Sequence, residues 1–188
     1  MLVFVVRHGE SETNQKWLWT GWLNVKLTDK GREDAKKVGK FLKKVSFDKV
    51  YTSDLIRAIE TAETAIPNCS YEKTELLREI NVGKIANNPL SVLTPEERLY
   101  ASKNGYGAYE GETKSEFQKR VLQFIKYLEQ LNCENVAVFS HAGWMREMSD
   151  LILETQLPRQ KICCNNCAVA VFEYNGAAWR LHSWSNLL

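Results

Sequence analysis

Arg7 and His8 follow directly on the apolar run Leu2 to Val6, and Gly9 with a polar turn comes after them. An imidazole beside a guanidinium suits attack on a phosphate, or its binding. A second histidine stands in Ser140-His141-Ala142-Gly143, behind the apolar run Val136 to Phe139. Arg57 follows Phe47 to Tyr51 and the turn Thr52-Ser53-Asp54, and Glu79 closes the stretch Tyr71 to Leu77 after Arg78. Two imidazoles, two guanidiniums and a carboxyl group are the parts for phosphoryl transfer through a histidine nucleophile. In that scheme neutral His8 attacks phosphorus, while Arg7, Arg57 and His141 hold the nonbridging oxygens. Glu79 protonates the departing alkoxide and then activates water against the phosphohistidine. The flanking cations disfavour protonation of His8. The arginines supply the positive charge, so the scheme calls for no Mg²⁺ and no other cofactor.

These residues work together only if the chain brings them to one place. Short β-branched or aromatic runs that end in turns read as buried strands, and residues 2–6, 47–51, 71–77 and 136–139 fit that pattern, the third most weakly. Between them lie helical periods. Ala35, Val38, Leu42 and Val45 recur at helical spacing behind Thr28, a plausible N-cap. Leu55, Ile59, Ala62 and Ile66 mark a stripe capped by Ser53 or Asp54 and stopped by Pro67. Phe117, Val121, Phe124, Leu128 and Leu131 define a long helix, and another runs through Met148, Leu151 and Ile152. Residues 168–172 and 179–182 make two last strands joined at Asn175-Gly176, a hairpin signal. Strand and helix alternate through most of the chain, which predicts an α/β fold with a mostly parallel sheet. Ligands in such folds bind beyond the carboxyl ends of the strands, where His8, Arg57, Glu79 and His141 all fall. Helix N-termini at that edge add backbone donors for an anion. Residues 80–112, with Asn87-Asn88-Pro89, Thr94-Pro95 and Asn104-Gly105, break any regular period apart from a short helix over 95–102. They read as a small insertion, a cap over the sheet edge.

Composition narrows the alternatives. At 188 residues the chain fits one domain, residues 1–188, with a substantial core. A formal charge of +2 gives no basis for a nucleic-acid or anionic-membrane surface. No segment approaches a membrane span, and the first strand begins at Leu2, so the expected location is the cytoplasm. The five cysteines, at 69, 133, 163, 164 and 167, form no disulfide framework, and Cys163-Cys164-Asn165-Asn166-Cys167 lacks a second ligand pair for a metal. The lysines at 36, 37, 40, 43 and 44 read as a solvated helix face.

Taken in order, these segments resemble the histidine phosphatase (phosphoglycerate mutase-like) superfamily with its Arg-His-Gly signature. Arg7-His8-Gly9-Glu10-Ser11 with Asn14, Gly21-Trp22 with Leu27-Thr28 and Gly31, and Thr52-Ser53-Asp54-Leu55 with Arg57-Ala58 and Thr61-Ala62 match successive family blocks. Leu77-Arg78-Glu79 with Gly83, Gly111-Glu112-Thr113 and Ser140-His141-Ala142-Gly143 match the later ones. The resemblance implies a covalent phosphohistidine at His8, a phosphate pocket of Arg7, Arg57 and His141, and Glu79 as acid and base. It also implies phosphate contacts from Asn14 and the backbone near Gly21, and a three-layer α/β/α sandwich with an extra antiparallel strand. Gly83 leads into Lys84-Ile85-Ala86-Asn87-Asn88 where members often carry Gly-x-x-Glu-Gly, so no subgroup's substrate preference carries over.

The expected activity is hydrolysis of a small phosphorylated metabolite. A mutase, passing the phosphate to a second hydroxyl, is the nearest alternative, and a noncatalytic phospho-ligand binder a more distant one. Glu75 and Glu110 are alternatives to Glu79 as the acid. Trp17, Trp19, Trp22 and Trp144, with Tyr100, Tyr106 and Tyr109, are candidates for substrate contact or for packing. Lys84, Arg98, Lys103 and Lys114 are candidates to meet a second acidic group. His182 reads as structural or surface.

Overall fold

Valine, phenylalanine and leucine fill residues 2–6, and in the computed structural model, which describes residues 1–155 and 162–186, they form the heart of strand β1 (Leu2–Arg7). Around it lie β2 (Lys49–Ser53), β3 (Glu72–Thr74), β4 (Asn135–Ser140), β5 (Val169–Tyr174) and β6 (Trp179–Ser185), in the order β3-β2-β4-β1-β5-β6. The first four strands run parallel; β5 is antiparallel to both β1 and β6. Six α-helices stand with them among the described residues: α1 (Glu12–Gln15), α2 (Asp29–Leu42), α3 (Ile56–Ala65), α4 (Pro95–Asn104), α5 (Lys114–Glu129) and α6 (Ala142–Ile152).

Alternation along the strands divides the core in two. Phe4 and Val6 of β1 join Ala35, Val38 and Leu42 of α2 and Ala62 of α3 on one face. Val3 and Val5 join Phe117, Val121 and Phe124 of α5 and Trp144, Met145 and Met148 of α6 on the other. The result is the expected α/β/α sandwich. Threonines start three of the helices: Thr28, Thr94 and Thr113 accept hydrogen bonds from the backbone N–H groups of Gly31, Glu97 and Glu116. No helix among the described residues is long and apolar enough to cross a membrane.

Several boundaries differ from the expectation. β2 continues through Thr52 and Ser53 because pairing with β3 extends to Ser53. β3 holds only three residues, and Glu75–Leu77 turn instead into a single 3₁₀ turn that the Thr74 hydroxyl caps. Neither Ser53 nor Asp54 caps α3: its N-cap is Leu55, without a side-chain bond, and Asp54 pairs with Arg78. The buried stripe of α3 holds Arg57, Ala58, Thr61, Ala62 and Ala65 rather than Ile59, since two polar side chains on that face turn toward the candidate site. Val45 and Leu131 lie beyond the ends of α2 and α5 and pack as loop residues. The last hairpin has a four-residue loop, 175–178, between paired Tyr174 and Trp179, with Asn175 Oδ1 accepting from the N–H groups of Ala177 and Ala178. Residues 80–112 carry short 3₁₀ turns and α4, two residues longer than expected.

Candidate active site

Register brings the two histidines together. Arg7 of β1 is paired with Ser140 of β4, so the residues that follow, His8 and His141, leave adjacent strands side by side. Their rings stand 5.1 Å apart between centroids. His8 Nδ1 lies 2.7 Å from the Gly9 carbonyl, which as an acceptor requires the proton on that nitrogen. Nε2 is therefore the nitrogen that carries the in-plane lone pair, and it accepts from the Arg57 Nε–H at 3.2 Å. The remaining nitrogens of Arg57 donate to the carbonyls of Leu23 and Gly21, each at 2.8 Å. Gly21 adopts a φ of 49° in that turn, a conformation for which glycine is suited.

Arg7, His8, Asn14, Gly21, Arg57 and Glu79 line one cavity of about 130 Å³ at the carboxyl edge of the sheet. His141 is fully buried beside His8. Both guanidiniums carry unbalanced charge: among the described residues neither Arg7 nor Arg57 has a carboxylate within salt-bridge distance, and Arg57 is 0% exposed. Arg7 donates to the Cys164 carbonyl, while its Nε, the indole nitrogen of Trp19 and both ring nitrogens of His141 are buried without a hydrogen-bond partner among the described residues. Isolated buried charge and unmade hydrogen bonds are costly, so a site built this way suits an anion.

Electrostatics follow from the same burial. Desolvation pushes the pKa of His8 well below the ordinary histidine value, and Arg57 and Arg7 lower it further. His141 is shifted the same way, by burial first and then by Arg57 and His8. Burial also brings Arg57 down to about 10, an effect that Glu79 opposes. Both imidazoles are thus neutral at physiological pH and both arginines charged.

The Glu79 carboxylate is fixed by two backbone donors, its own neighbour Ile80 N at 2.9 Å and Gly143 N, in the first turn of α6, at 3.0 Å. The alternatives to it lie elsewhere. Glu75 pairs with Arg78 and Glu110 with Lys84, and neither lines the cavity. Trp19 and Tyr106 line the cavity; Trp144 is core, Trp22 packs under Arg78, and Trp17 is 74% exposed. Tyr100 is exposed and Tyr109 packs against the core. Lys114 pairs with Glu147, and none of Lys84, Arg98, Lys103 and Lys114 lines the cavity. His182 is exposed on β6.

Of the other contributors, Arg146 and Asn166 carried no motif that marked them, and Thr61 stood in the Arg57 block with no role assigned to it. Arg146 of α6 lines the cavity beside Ala142 and Gly143. Asn166 ties the His8 carbonyl to the Asn14 side chain, at 3.1 Å each, and the Thr61 hydroxyl accepts from Gly9 N. Thr61 recurs one helical turn beyond Arg57, a spacing that could have indicated it. Asn166 sits in the cysteine cluster, whose Cys164 takes part through its backbone, its carbonyl holding Arg7.

The family model for the histidine phosphatase superfamily (branch 1) matches residues 3–187. A broad-specificity phosphatase of Saccharomyces cerevisiae is 28% identical over 185 residues, covering 92% of this chain and 79% of that protein. Phosphoglycerate mutase 1 of the same yeast is 53% identical over 64 residues, only 33% of this chain and 26% of the mutase. Among solved structures, the alpha-ribazole phosphatase from Shigella flexneri superposes with a TM-score of 0.87 at 23% identity, covering 100% of this chain and 97% of that one. The phosphoserine phosphatase from Entamoeba histolytica, in a mutant form with phosphoserine, gives 0.84 at 23%, covering 99% and 97%. The chain is therefore an enzyme of the histidine phosphatase superfamily, branch 1.

Proposed function

We propose that the protein is a metal-independent phosphomonoester hydrolase that works through a phosphohistidine at His8 on a small phosphorylated metabolite. The observation that carries this reading is the pair of guanidiniums without a carboxylate partner, Arg57 fully buried and Arg7 buried at its Nε, beside a histidine nitrogen whose lone pair is held only by the Arg57 Nε–H. In the first step His8 Nε2 forms a bond to phosphorus as the ester P–O bond breaks, and protonated Glu79 gives its proton to the departing alkoxide. Arg57 Nε shifts its hydrogen bond from Nε2 to a phosphoryl oxygen, and Arg7 and His141 take the others. In the second step water attacks phosphorus, the P–N bond breaks, and the Glu79 carboxylate receives the water's proton. Inorganic phosphate leaves and His8 and Glu79 return to their starting states. Asn14 and the Gly21 turn complete the phosphate cradle, and residues 80–112 act as the cap.

The volume supports a small substrate, since sites for drug-sized ligands run to roughly 300–1,000 Å³. Five free thiols suit a reducing compartment, and on that ground we place the enzyme in the cytoplasm. The match to a mutase favours a second reading, in which the phosphate passes to another hydroxyl. A sugar or glycerate phosphate assay separates the two, because a mutase yields a positional isomer without free phosphate. The central test is hydrolysis of an aryl phosphate in chelator by wild type and His8→Ala. Acid-labile phosphate trapped on the wild type and lost with activity in the variant is expected. Normal turnover by the variant refutes the mechanism.

A further inference from the structure

Glu79 sits on a loop, in neither a strand nor a helix, and a loop has no ladder of its own to set a side chain to the tolerance that proton transfer needs. Its backbone is held from outside, and one side chain does most of the holding. Arg120, on the rigid α5, donates through Nη1 to the carbonyls of Glu75, Leu76 and Arg78 at 3.3, 3.1 and 2.8 Å, and through Nη2 to the Glu79 carbonyl at 3.1 Å. The same guanidinium grips Glu112 with two parallel bonds of 2.9 Å, an ion pair in which each side chain is 13% exposed. Glu112 carries the clamp past the acid: Oε2 accepts from Asn81 N at 2.7 Å, and its backbone N–H donates to the Asn81 carbonyl at 2.9 Å. Trp22 adds its indole N–H to the Glu79 carbonyl at 2.7 Å and lies with its ring under Arg78.

We infer that Arg120, locked by Glu112, is the positioning residue for the acid Glu79. A planar fork with five donors can serve one carboxylate and several carbonyls at once, which a lysine ammonium cannot. The inference rests on Glu79 being the acid proposed above. Arg120 lies outside the residues that line the cavity; its charge acts on His141, and Arg120→Lys keeps that charge while removing the fork.

The test uses Arg120→Lys and, as a shape-preserving second variant, Glu112→Gln, with Glu79→Gln as reference. The readout is the first-turnover rate of alcohol release from glycerol phosphate and from p-nitrophenyl phosphate, together with inhibition by inorganic phosphate. The glycerol alkoxide leaves only if protonated; p-nitrophenolate leaves without help. Each variant is expected to slow the glycerol ester about 100-fold and the nitrophenyl ester only a few-fold, with phosphate inhibition unchanged. A merely structural role lowers both rates and phosphate affinity together. Equal losses on the two esters, or no loss, while Glu79→Gln still separates them, overturn the positioning role alone. Equal effects of Glu79→Gln on the two esters remove the acid assignment and the inference with it.

Discussion

Gly143→Ala isolates the acid without touching the phosphate cradle. A methyl group built on Gly143 overlaps Glu79 Oε1 and stands 3.0 Å from its Cδ and 3.3 Å from Oε2, where ordinary contact begins at 3.4 Å. The backbone of α6 is held by buried Trp144, Met145 and Met148, so the carboxylate yields instead. It must retreat by roughly 1 Å, a displacement that costs about 100-fold in a positioned reaction. The fold loses little. Alanine gains up to about 1 kcal/mol over glycine in a helix, which offsets part of the roughly 1.5–3 kcal/mol of the bond between Gly143 N and Glu79. The assay is kcat for a simple alkyl phosphate beside the thermal midpoint and the inhibition constant of inorganic phosphate. A fall of about 100-fold in kcat, a midpoint within a few degrees and unchanged phosphate inhibition are expected. Alkyl phosphate turnover within threefold of wild type refutes the assignment of Glu79 at this position.

Stability should depend on pH through the two buried imidazoles. Both are held neutral in the folded state, whereas in the unfolded chain they protonate near 6.5, so below that pH the unfolded state binds more protons and stability falls, by up to about 1.4 kcal/mol per pH unit for each histidine. Urea midpoints at pH 7 and 5.5 should show this loss and a shallower one in His141→Gln; parallel profiles would contradict it. Arg57→Lys replaces the fork that serves the Gly21 and Leu23 carbonyls with a single shorter ammonium, and both kcat/KM and the melting midpoint should drop, the latter reflecting roughly 1–3 kcal/mol if the buried Gly21 carbonyl loses its donor.

Residues whose role follows from a strand end were readable in advance. His8, His141 and Arg7 stand directly after or at the ends of apolar runs, and parallel register converts that local position into proximity. Arg57 was legible as a residue in the first turn of a helix at the same edge, yet its burial was not, because an apolar stripe drawn from Ile59 and Ile66 puts an arginine on the outer face. Hydropathy does not register a buried charge that awaits a ligand. Arg120, Trp22 and Asn166 act through backbone carbonyls 41 to 158 residues distant or through a neighbour's side chain, and no period or motif encodes which carbonyl a donor will meet. Edge strand β3 was overextended for a related reason: its length depends on how far a single neighbour pairs with it.

The two halves of the cavity are made of different material. The phosphate side hangs from the most tightly cross-braced part of the molecule, two central strands whose neighbours lie on both flanks. The rest of the lining, Leu18, Ile80, Val82, Leu90 and Tyr106, lies outside the strands, and on the proposed mechanism it faces the alcohol. A scaffold divided in this way lets chemistry stay constant while the menu of esters changes, and a directed search for new substrates belongs in those turns.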